Sequence, residues 1–549
     1  MSDILNIPDI LVFILKYTDR KTDARCARVS KAWHEPSLDS LWYHFDHLKG
    51  LFVLLCLDMA YSINPDIMDF SSSYIPSDRW ERFFFYAKRI KHLECNDTDN
   101  GIHHSAFATL SFFRPVLHIL PNLTHLTWRN DPSQPALSLK LCLLFLAPGL
   151  KSLTVRTGLV AIEGDLFAIG NFFQEVAGRC PQLEHIDFSS LISFRDMGPM
   201  FPKFIGSFSK LKTVSLPEGL ICSDVVTMLA TSCLCLEGIR CTTPKPEVYR
   251  LLGQGRDVLD LENFMPYVGQ HGFRSIRTLH LTAHLWNVTR FLLAIPTISQ
   301  VCELVVRTLT LESAKNVEGF FTTVSALCPK IEVFSISIQS ASMQQFEVLP
   351  FSSIAPLLTC RSLISLSIES PSMLDIDDAE AVTMASSWPQ LEELHLNPLP
   401  VPQAFECVSV TFATLAIFAE LCPKLQYLGI CSRASFVLTP ETRRAFPRLK
   451  QLVLGIRDMD YNQDAAALYL ADILPPTCTL ATTQLFSVLT QIDRKIRDHF
   501  SHSQWKAETT IKKVPVLRNC HMKYKERLRT LEGEVQKLTI AANDISVRG

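Results

Sequence analysis

The 549-residue sequence predicts an α/β solenoid, in which short parallel strands alternate with helices, preceded by a small domain of three helices. Two observations lead to this prediction. A short apolar motif recurs along most of the chain with helical stretches between its copies, and residues 5–47 carry a helical pattern that does not occur again. The composition agrees, because 47% of the residues are hydrophobic although no run of about 18 apolar residues could form a membrane span.

The repeated motif has one apolar residue, two free positions, a second apolar residue, one free position and a third apolar residue. Its clearest copy is CPKLQYLGI (422–430), and copies recur at intervals of roughly 24 to 40 residues, which is typical of repeat architectures. The other copies are LPNLTHLTW (120–128), APGLKSLTV (147–155), CPQLEHIDF (180–188), FSKLKTVSL (208–216), CLCLEGIRC (233–241), GFRSIRTLHL (272–281), CPKIEVFSI (328–336), CRSLISLSI (360–368), WPQLEELHL (388–396) and FPRLKQLVL (446–454), with KRIKHLEC (88–95) and VVRTLTL (305–311) as weaker members.

Helical stretches precede several copies, with apolar residues at i, i+3, i+4 and i+7. They are LFAIGNFFQEVAGR before Cys180, VEGFFTTVSAL before Cys328 and FATLAIFAEL before Cys422, and a proline after each cysteine disfavours further helix. One such unit cannot bury its own apolar faces, but stacked units form a continuous core. The pattern resembles the leucine-rich repeat family, which implies a horseshoe with helices on its outer face. Because these cysteines recur at one place in the repeat, we expect them to serve packing.

Three short helices are predicted near the start of the chain. Pro8 opens the first, the second covers Val29 to Trp33, and Pro36 opens the third. So small a segment is near the lower size limit for its own core, so it should dock on the repeats or offer an apolar face to a partner. The apolar residues that share helix faces are Ile10, Leu11, Ile14, Leu15, Val29, Ala32, Trp33, Leu38, Leu41 and Trp42.

These residues resemble the F-box, which reads roughly Leu-Pro-x-Glu-Ile-Leu, then Val-Cys-x-x-Trp, then Leu-Trp. The chain has Ile7-Pro8-Asp9-Ile10-Leu11, then Val29-Ser30-Lys31-Ala32-Trp33, then Leu41-Trp42, in that order. It is especially similar to the F-box proteins abundant in mushroom-forming fungi. Thr18 and Asp23 stand where the family usually has leucines, and we expect them to weaken the apolar face.

The resemblance implies a substrate-recognition subunit of a Skp-cullin-F-box ubiquitin ligase. The F-box would bind a Skp-type adaptor, and through it a cullin and a RING protein, while the repeats select the protein to be modified. The alternative is a leucine-rich-repeat scaffold whose first helices only cap the solenoid. The residues that the resemblance assigns to adaptor binding are Ile7, Pro8, Ile10, Leu11, Ile14, Leu15, Val29, Trp33, Leu41 and Trp42.

Target-binding residues are predicted from the strand pattern. In a strand of this type, the residues that flank the last apolar anchors point to the concave side and would line the inner surface of the horseshoe. This set is polar and weakly charged, which suits a protein target better than a polyanion. Its members are Arg129, Arg156, Asp187, Arg240, His280, Glu369, His395 and Asn397.

The sequence gives no support for an enzyme, a cofactor or a metal. It contains no GxxxxGK[ST], GxGxxG, HExxH or GxSxG motif, and the acidic cluster at 375–380 lacks calcium-loop spacing and predicts a helix start instead. The net charge of −2 favours neither nucleic acid nor an anionic membrane as a partner. No export signal is visible before ILVFIL (10–15), so we expect a cytoplasmic or nuclear protein with reduced cysteines.

Four segments follow from these patterns. They are a helical domain at 5–47, a helical connection at 48–85, degenerate repeats at 86–480 and a helical tail at 481–549. Within the tail, YKERLRTLEGEVQKL (524–538) has the spacing of a coiled coil but only two heptads. A dimer contact and a helix packed on the last repeat are therefore both open.

Overall fold

The fold is described from a computed structural model, and the chain divides into two compact units. The first comprises residues 1–281 and 294–297, and the second comprises 282–293 and 298–549. The predictions on the tail, including the coiled coil, fall almost wholly outside the described residues. The structure describes residues 7–46, 48–55, 75–96, 102, 104–129, 135–156, 166–189, 200–217, 220–242, 264–308, 310–338, 347–398, 410–433, 444–456, 463–481 and 513–515.

The first unit is an α/β solenoid, in which successive strands pair in parallel in the order of the sequence. Its strands are β1 (His44–Phe45), β2 (His92–Asn96), β3 (His125–Arg129), β4 (Ser152–Arg156), β5 (His185–Ser189), β6 (Thr213–Pro217), β7 (Gly238–Thr242) and β8 (Thr278–Thr282). Its helices are α1 (Pro8–Leu15), α2 (Arg20–Cys26), α3 (Lys31–Tyr43), α4 (Leu48–Phe52), α5 (Ser77–Ala87), α6 (His104–Phe113), α7 (Pro135–Cys142), α8 (Leu166–Arg179), α9 (Met200–Gly206) and α10 (Ser223–Ser232), with 3-10 turns at Val53–Leu55 and Leu143–Phe145.

The second unit is built in the same way, and β11 and β13 form a separate small pair. Its strands are β9 (Glu303–Thr308), β10 (Val333–Ile338), β11 (Leu349–Pro350), β12 (Ser365–Glu369), β13 (Leu374–Asp375), β14 (Glu393–Leu396), β15 (Tyr427–Ser432), β16 (Gln451–Ile456) and β17 (Thr479–Ala481). Its helices are α11 (Leu285–Ala294), α12 (Ala314–Leu327), α13 (Phe351–Ile354), α14 (Asp378–Ser387), α15 (Ala413–Leu421) and α16 (Gln463–Ile473), with 3-10 turns at Ile298–Gln300 and Ala355–Thr359.

The apolar anchors of the repeated motif form the cores of both units. In β3 and β4, Leu126, Trp128, Leu153 and Val155 are buried, while the residues between them face away from the core. Such alternation is what a pleated strand imposes on a period of two residues. The prediction of an α/β solenoid is therefore confirmed.

The recurring cysteines end helices and tie neighbouring repeats together. Cys233 follows α10, and its thiol lies 3.5 Å from the carbonyl oxygen of Phe208 in the preceding repeat. Cys422 follows α15 and lies 3.6 Å from the carbonyl oxygen of Ala385. Trp388 occupies the same place after α14, where its indole Nε1–H donates to Leu357 at 3.2 Å. Cys180, Cys328 and Cys422 are all fully buried, so the prediction that these three cysteines serve packing is confirmed.

Two details of the sequence prediction are wrong. Pro36 lies inside α3, because Ser30 caps this helix by accepting from the backbone N–H of Trp33 and so sets the start one turn earlier. Proline there removes one backbone hydrogen bond without ending the helix. The strand expected at VVRTLTL begins earlier, at Glu303, because Leu304 and Val306 are the residues that face the core.

The acidic cluster at 375–380 runs from the end of β13 into α14, where Asp377 and Glu380 form a reciprocal capping box. Among the helices that the structure describes, none is long and apolar enough to cross a membrane. Within the same residues, no group of three metal-ligating side chains converges.

Candidate functional site

Helix α1 is apolar on both of its sides. Leu11 and Leu15 are buried inside the helical domain, where α1 packs on α3. Phe13 and Tyr17 lie on the opposite side, and the Tyr17 side chain is 78% exposed. A helix that is hydrophobic all round is normally covered on every side. The exposed side of α1 is therefore a surface that fits a partner.

We use "outer apolar face" for the exposed apolar residues on and beside α1 and in the turn between α2 and α3. Phe13 and Tyr17 form an edge-to-face ring pair with centroids 5.4 Å apart. Val29, between α2 and α3, is 68% exposed. Neighbouring apolar side chains in water are the usual mark of a protein contact. The outer apolar face consists of Ile7, Val12, Phe13, Tyr17 and Val29.

The predicted adaptor-binding residues divide into three groups by burial. Ile7, Pro8 and Val29 are exposed, whereas Leu11 and Leu15 belong to the core of the domain. The sequence prediction missed Val12, Phe13 and Tyr17, although the unbroken apolar run ILVFIL could have indicated them. The remaining predicted residues are half-buried, namely Ile10, Ile14, Trp33, Leu41 and Trp42.

Thr18 and Asp23 lie inside the helical domain, not on its outer face. Asp23 is only 4% exposed, and its carboxylate accepts hydrogen bonds from the Thr18 hydroxyl and, at 2.8 Å, from the Ser40 hydroxyl. A buried carboxylate is tolerated when it is hydrogen-bonded in this way. The two departures from the family pattern therefore pair with each other, while their effect on adaptor binding stays a prediction.

Ion pairs fix the helical domain to the first repeat. The guanidinium of Arg89, just after α5, is buried and donates to Glu35 at 2.6 Å and to Asp39, both on α3. The hydrogen bond from Arg89 holds the pKa of Glu35 below its usual range. Because both carboxylates remain more than half exposed, the pairs contribute modest stability while they define the geometry.

Aromatic packing and the sheet complete this junction. The Trp42 ring lies 5.1 Å from Phe45 and 4.6 Å from Tyr86. The backbone N–H of Lys91 donates to the carbonyl of Tyr43 at 3.1 Å, and β1 pairs with β2. Trp42, which was predicted to bind the adaptor, thus contacts the repeats. The sequence left two alternatives for the helical domain, docking on the repeats or exposing an apolar face, and the structure shows both.

We use "outward face" for the strand residues that alternate with the buried anchors. On the first unit it carries Arg129 and Arg156, which are exposed and lie directly opposite each other on β3 and β4. Arg129 is paired with Glu94 at 2.5 Å. Asp187 on β5 is half-buried, and burial raises the pKa of its carboxyl group while Arg156 opposes that rise.

Arg240 and His280 occupy the same face farther along the first unit. Arg240 stands opposite Ser215 of β6, and it is exposed. His280 on β8 is half-buried. All five target-binding residues predicted for this unit therefore lie on its outward face, while their role in binding stays a prediction.

Three histidine rings form a row at the first residues of β1, β2 and β3. The His44 and His92 rings have centroids 4.3 Å apart, and the His92 and His125 rings stack at 3.9 Å. Burial, together with these neighbours, lowers the pKa of His92 to about 4. His92 is therefore neutral at physiological pH, and burial lowers the pKa of His125 as well.

The outward face of the second unit is partly closed by the chain itself. Asn397 has a left-handed backbone with φ of 41° and is 3% exposed, and its amide donates to the carbonyl of Ser372 at 2.6 Å. Its amide oxygen accepts from the backbone N–H of Ser370 at 3.2 Å. Asn397 was predicted to bind a target, but its polar atoms are used in the turn. Glu369 is exposed and His395 half-buried.

An enclosed cavity in the second unit has a volume of about 10 Å³ and is lined by apolar side chains, including Leu396 and Phe418. That volume is marginal even for one water molecule. A more open cavity of about 340 Å³ in the same unit is lined by residues that include Leu449 and Lys450.

Comparison with known proteins identifies the helical domain. Residues 8–47 match the F-box-like family, so this segment is an F-box-like domain. No curated protein matches the sequence significantly. A chain in the crystal structure of the yeast Rad7 and Elc1 complex is 20% identical over 66% of this chain and 80% of its own length, with a TM-score of 0.38.

A second solved structure belongs to a leucine-rich repeat-containing protein. It is LegL7 from Legionella pneumophila, which is 13% identical over 55% of this chain and 88% of its own length, with a TM-score of 0.29. Both TM-scores are low, so the assignment of the fold rests on the strands and helices of the chain itself. The class that they define is an F-box-like domain followed by an α/β solenoid.

Proposed function

We propose that the chain is the substrate-recognition subunit of a Skp-cullin-F-box ubiquitin ligase. The observation that carries the proposal is the outer apolar face, which lies on an F-box-like domain and has no cover in the described chain. This face would bind a Skp-type adaptor, and through it a cullin and a RING protein. The outward face of the repeats would bind the target in the cytoplasm or nucleus.

Such a subunit needs no catalytic residues of its own. It raises the effective concentration of the target beside the charged ubiquitin-conjugating enzyme. The junction at Arg89 and Trp42 supports this role, because it fixes the F-box-like domain to the first strands of the repeats. The same junction would exist in a scaffold whose helices only cap the solenoid, so binding of the adaptor is the property to measure.

The decisive experiment measures binding of the purified chain to a Skp-type adaptor from the same organism. Ile7→Asp combined with Val29→Asp places charge on the outer apolar face without touching the core. We expect this pair to weaken adaptor binding by about 100-fold or more, because apolar anchors at an interface centre commonly contribute 2 kcal/mol or more each.

The matched control is Phe112→Asp, which changes a phenylalanine that is 82% exposed at the end of α6. We expect it to leave adaptor binding unchanged. Circular dichroism would verify that all variants remain folded. A folded parent that does not bind any adaptor would refute the ligase role and leave the capped scaffold.

A further inference from the structure

The outward face of the first unit places two arginines side by side. Arg129 on β3 and Arg156 on β4 are partners in the register of the sheet, and both side chains are exposed. Like charges directly opposite each other on neighbouring strands destabilise a sheet. Glu94 relieves this repulsion on one side only, since it pairs with Arg129.

Arg156 has no ion pair or hydrogen bond within the part of the chain that the structure describes. Asp187 on the adjacent strand stands opposite Thr154, two residues before the position that faces Arg156. Burial raises the pKa of Asp187 and Arg156 opposes that rise, but no hydrogen bond or ion pair joins the two side chains. Among the described residues Arg156 is thus an exposed cation without an ion-pair partner, and it lies beside a second guanidinium.

The neighbouring side chains leave room for a ligand group. Thr127 and Thr154 occupy the adjacent positions of the same face on β3 and β4, and both are small and half-buried. A guanidinium offers a planar fork of donors that matches carboxylate and phosphate oxygens and binds either in a bidentate manner. The ligand group that fits this surface is therefore an anionic side chain.

We propose that Arg156, with Arg129 beside it, recognises an acidic side chain of the protein target, either a carboxylate or a phosphorylated residue. This inference rests on the proposed function, because it takes the outward face of the first unit as the surface that binds the target. It adds the chemical class of the residue that is recognised.

The test uses the full chain and an immobilised peptide library. The central residue of each peptide is glutamate, phosphoserine, glutamine or serine, and the flanking positions are randomised identically in all four sets. We expect the parent to retain one acidic set about tenfold better than its neutral counterpart. The set that it prefers distinguishes a carboxylate from a phosphate as the recognised group.

Arg156→Gln should abolish this preference, since it removes the free cation and keeps a side chain of similar length. Lys140→Gln is the matched control, because Lys140 is an exposed cation on α7 and should leave the preference intact. A parent without any acidic preference, or an Arg156→Gln variant that keeps it, would overturn the inference.

Adaptor binding is measured on the same preparations to separate the two proposals. A chain that binds the adaptor but shows no acidic preference refutes the role of Arg156 and keeps the ligase function. A chain that prefers acidic peptides but binds no adaptor refutes the ligase function and keeps the recognition of acidic groups.

Discussion

The outward faces of β3 and β4 in the first unit differ sharply from those of β15 and β16 in the second. In β3 and β4, buried and accessible residues alternate, so a polar surface is open to solvent. In β15, every residue after Tyr427 is buried. Strands that are buried on both faces lose this alternation. The same repeat pattern has therefore produced one open and one closed surface.

Two glycines mark the closed surface. A Cβ atom on Gly455 of β16 would lie 2.2 Å from the carbonyl oxygen of Pro398, and a Cβ atom on Gly429 of β15 would lie 2.5 Å from the His395 ring. Pro398, just after β14, and His395 thus lie against β16 and β15. The chain's own residues close the outward face of the second unit there, whereas the outward face of β3 and β4 is open.

The largest effect on stability is expected from Gly455→Ala, which tests whether the outward face of the second unit is closed. The added methyl group meets a backbone oxygen that cannot rotate away, so the free energy of unfolding should fall by about 3 kcal/mol. Urea denaturation followed by fluorescence would measure this loss.

Gly319→Ala is the control for this glycine substitution. Gly319 lies in α12 with open space around it, so alanine should raise stability by roughly 0.5–1 kcal/mol through helix propensity. If Gly455→Ala were as harmless as Gly319→Ala, the face of β16 would be open and the comparison would fail.

A smaller effect is expected from acid, and it should fall on the open face. Because the pKa of His92 is about 4 in the folded chain and about 6.5 in the unfolded chain, the unfolded chain takes up a proton that the folded chain does not. Stability is therefore lost as the pH falls from about 6.5 to 4.

Hydrogen exchange at pH 7 and pH 5 would locate this acid sensitivity. Amides of β2 and β3 should lose protection before those of β15 and β16. In His92→Gln the difference between the two regions should shrink, because the glutamine does not titrate. Equal loss in both regions of the parent would show that the imidazole row does not set the acid response.

The smallest effect on stability is expected from Glu184→Gln, which removes the ion pairs of Glu184 with Lys151 and Lys212 in the first unit. Glu184 accepts from Lys212 at 2.6 Å and from Lys151 at 3.3 Å, and these lysines lower its pKa to about 2. Thermal unfolding should show a slight loss of stability in dilute buffer that disappears near 1 M salt.

Glu392→Gln provides the matched change in the second unit. There Glu392 accepts from the neutral amide of Gln426 at 2.8 Å, so salt should hardly alter its effect. Salt dependence of the same size at both positions would contradict the assignment of charge pairing to the first unit.

The sequence predicted those features that depend on neighbours along the chain. Leu126 and Leu153 face the core because the spacing of the motif matches the pleat of a strand. The helix before Cys180 was predicted with the bounds that α8 has, since its apolar periodicity and the following proline are both local. Residues 8–47 could likewise be assigned from their motif.

Features that depend on distant contacts escaped sequence reasoning. Trp42 was assigned to a partner because its neighbour Tyr86 is brought close only by the docking of α5. Asp23 seemed to disturb a surface, because only folding brings Ser40 to its carboxylate. Asn397 directly follows the last apolar anchor of its motif, so its side chain was expected on the outward face. The left-handed backbone at Asn397 instead turns its amide toward Ser372 of the preceding repeat. Local periodicity does not report any of these contacts.

The cysteines that end the helices have a consequence for experiment. Burial raises the pKa of Cys180, Cys233, Cys328 and Cys422 to about 12, so almost no reactive thiolate exists while the repeats are folded. Each thiol becomes available to an alkylating reagent only when its own repeat opens. The rate at which each cysteine is alkylated therefore reports local unfolding of its own repeat. The order in which the four cysteines react would reveal the order in which their repeats unfold.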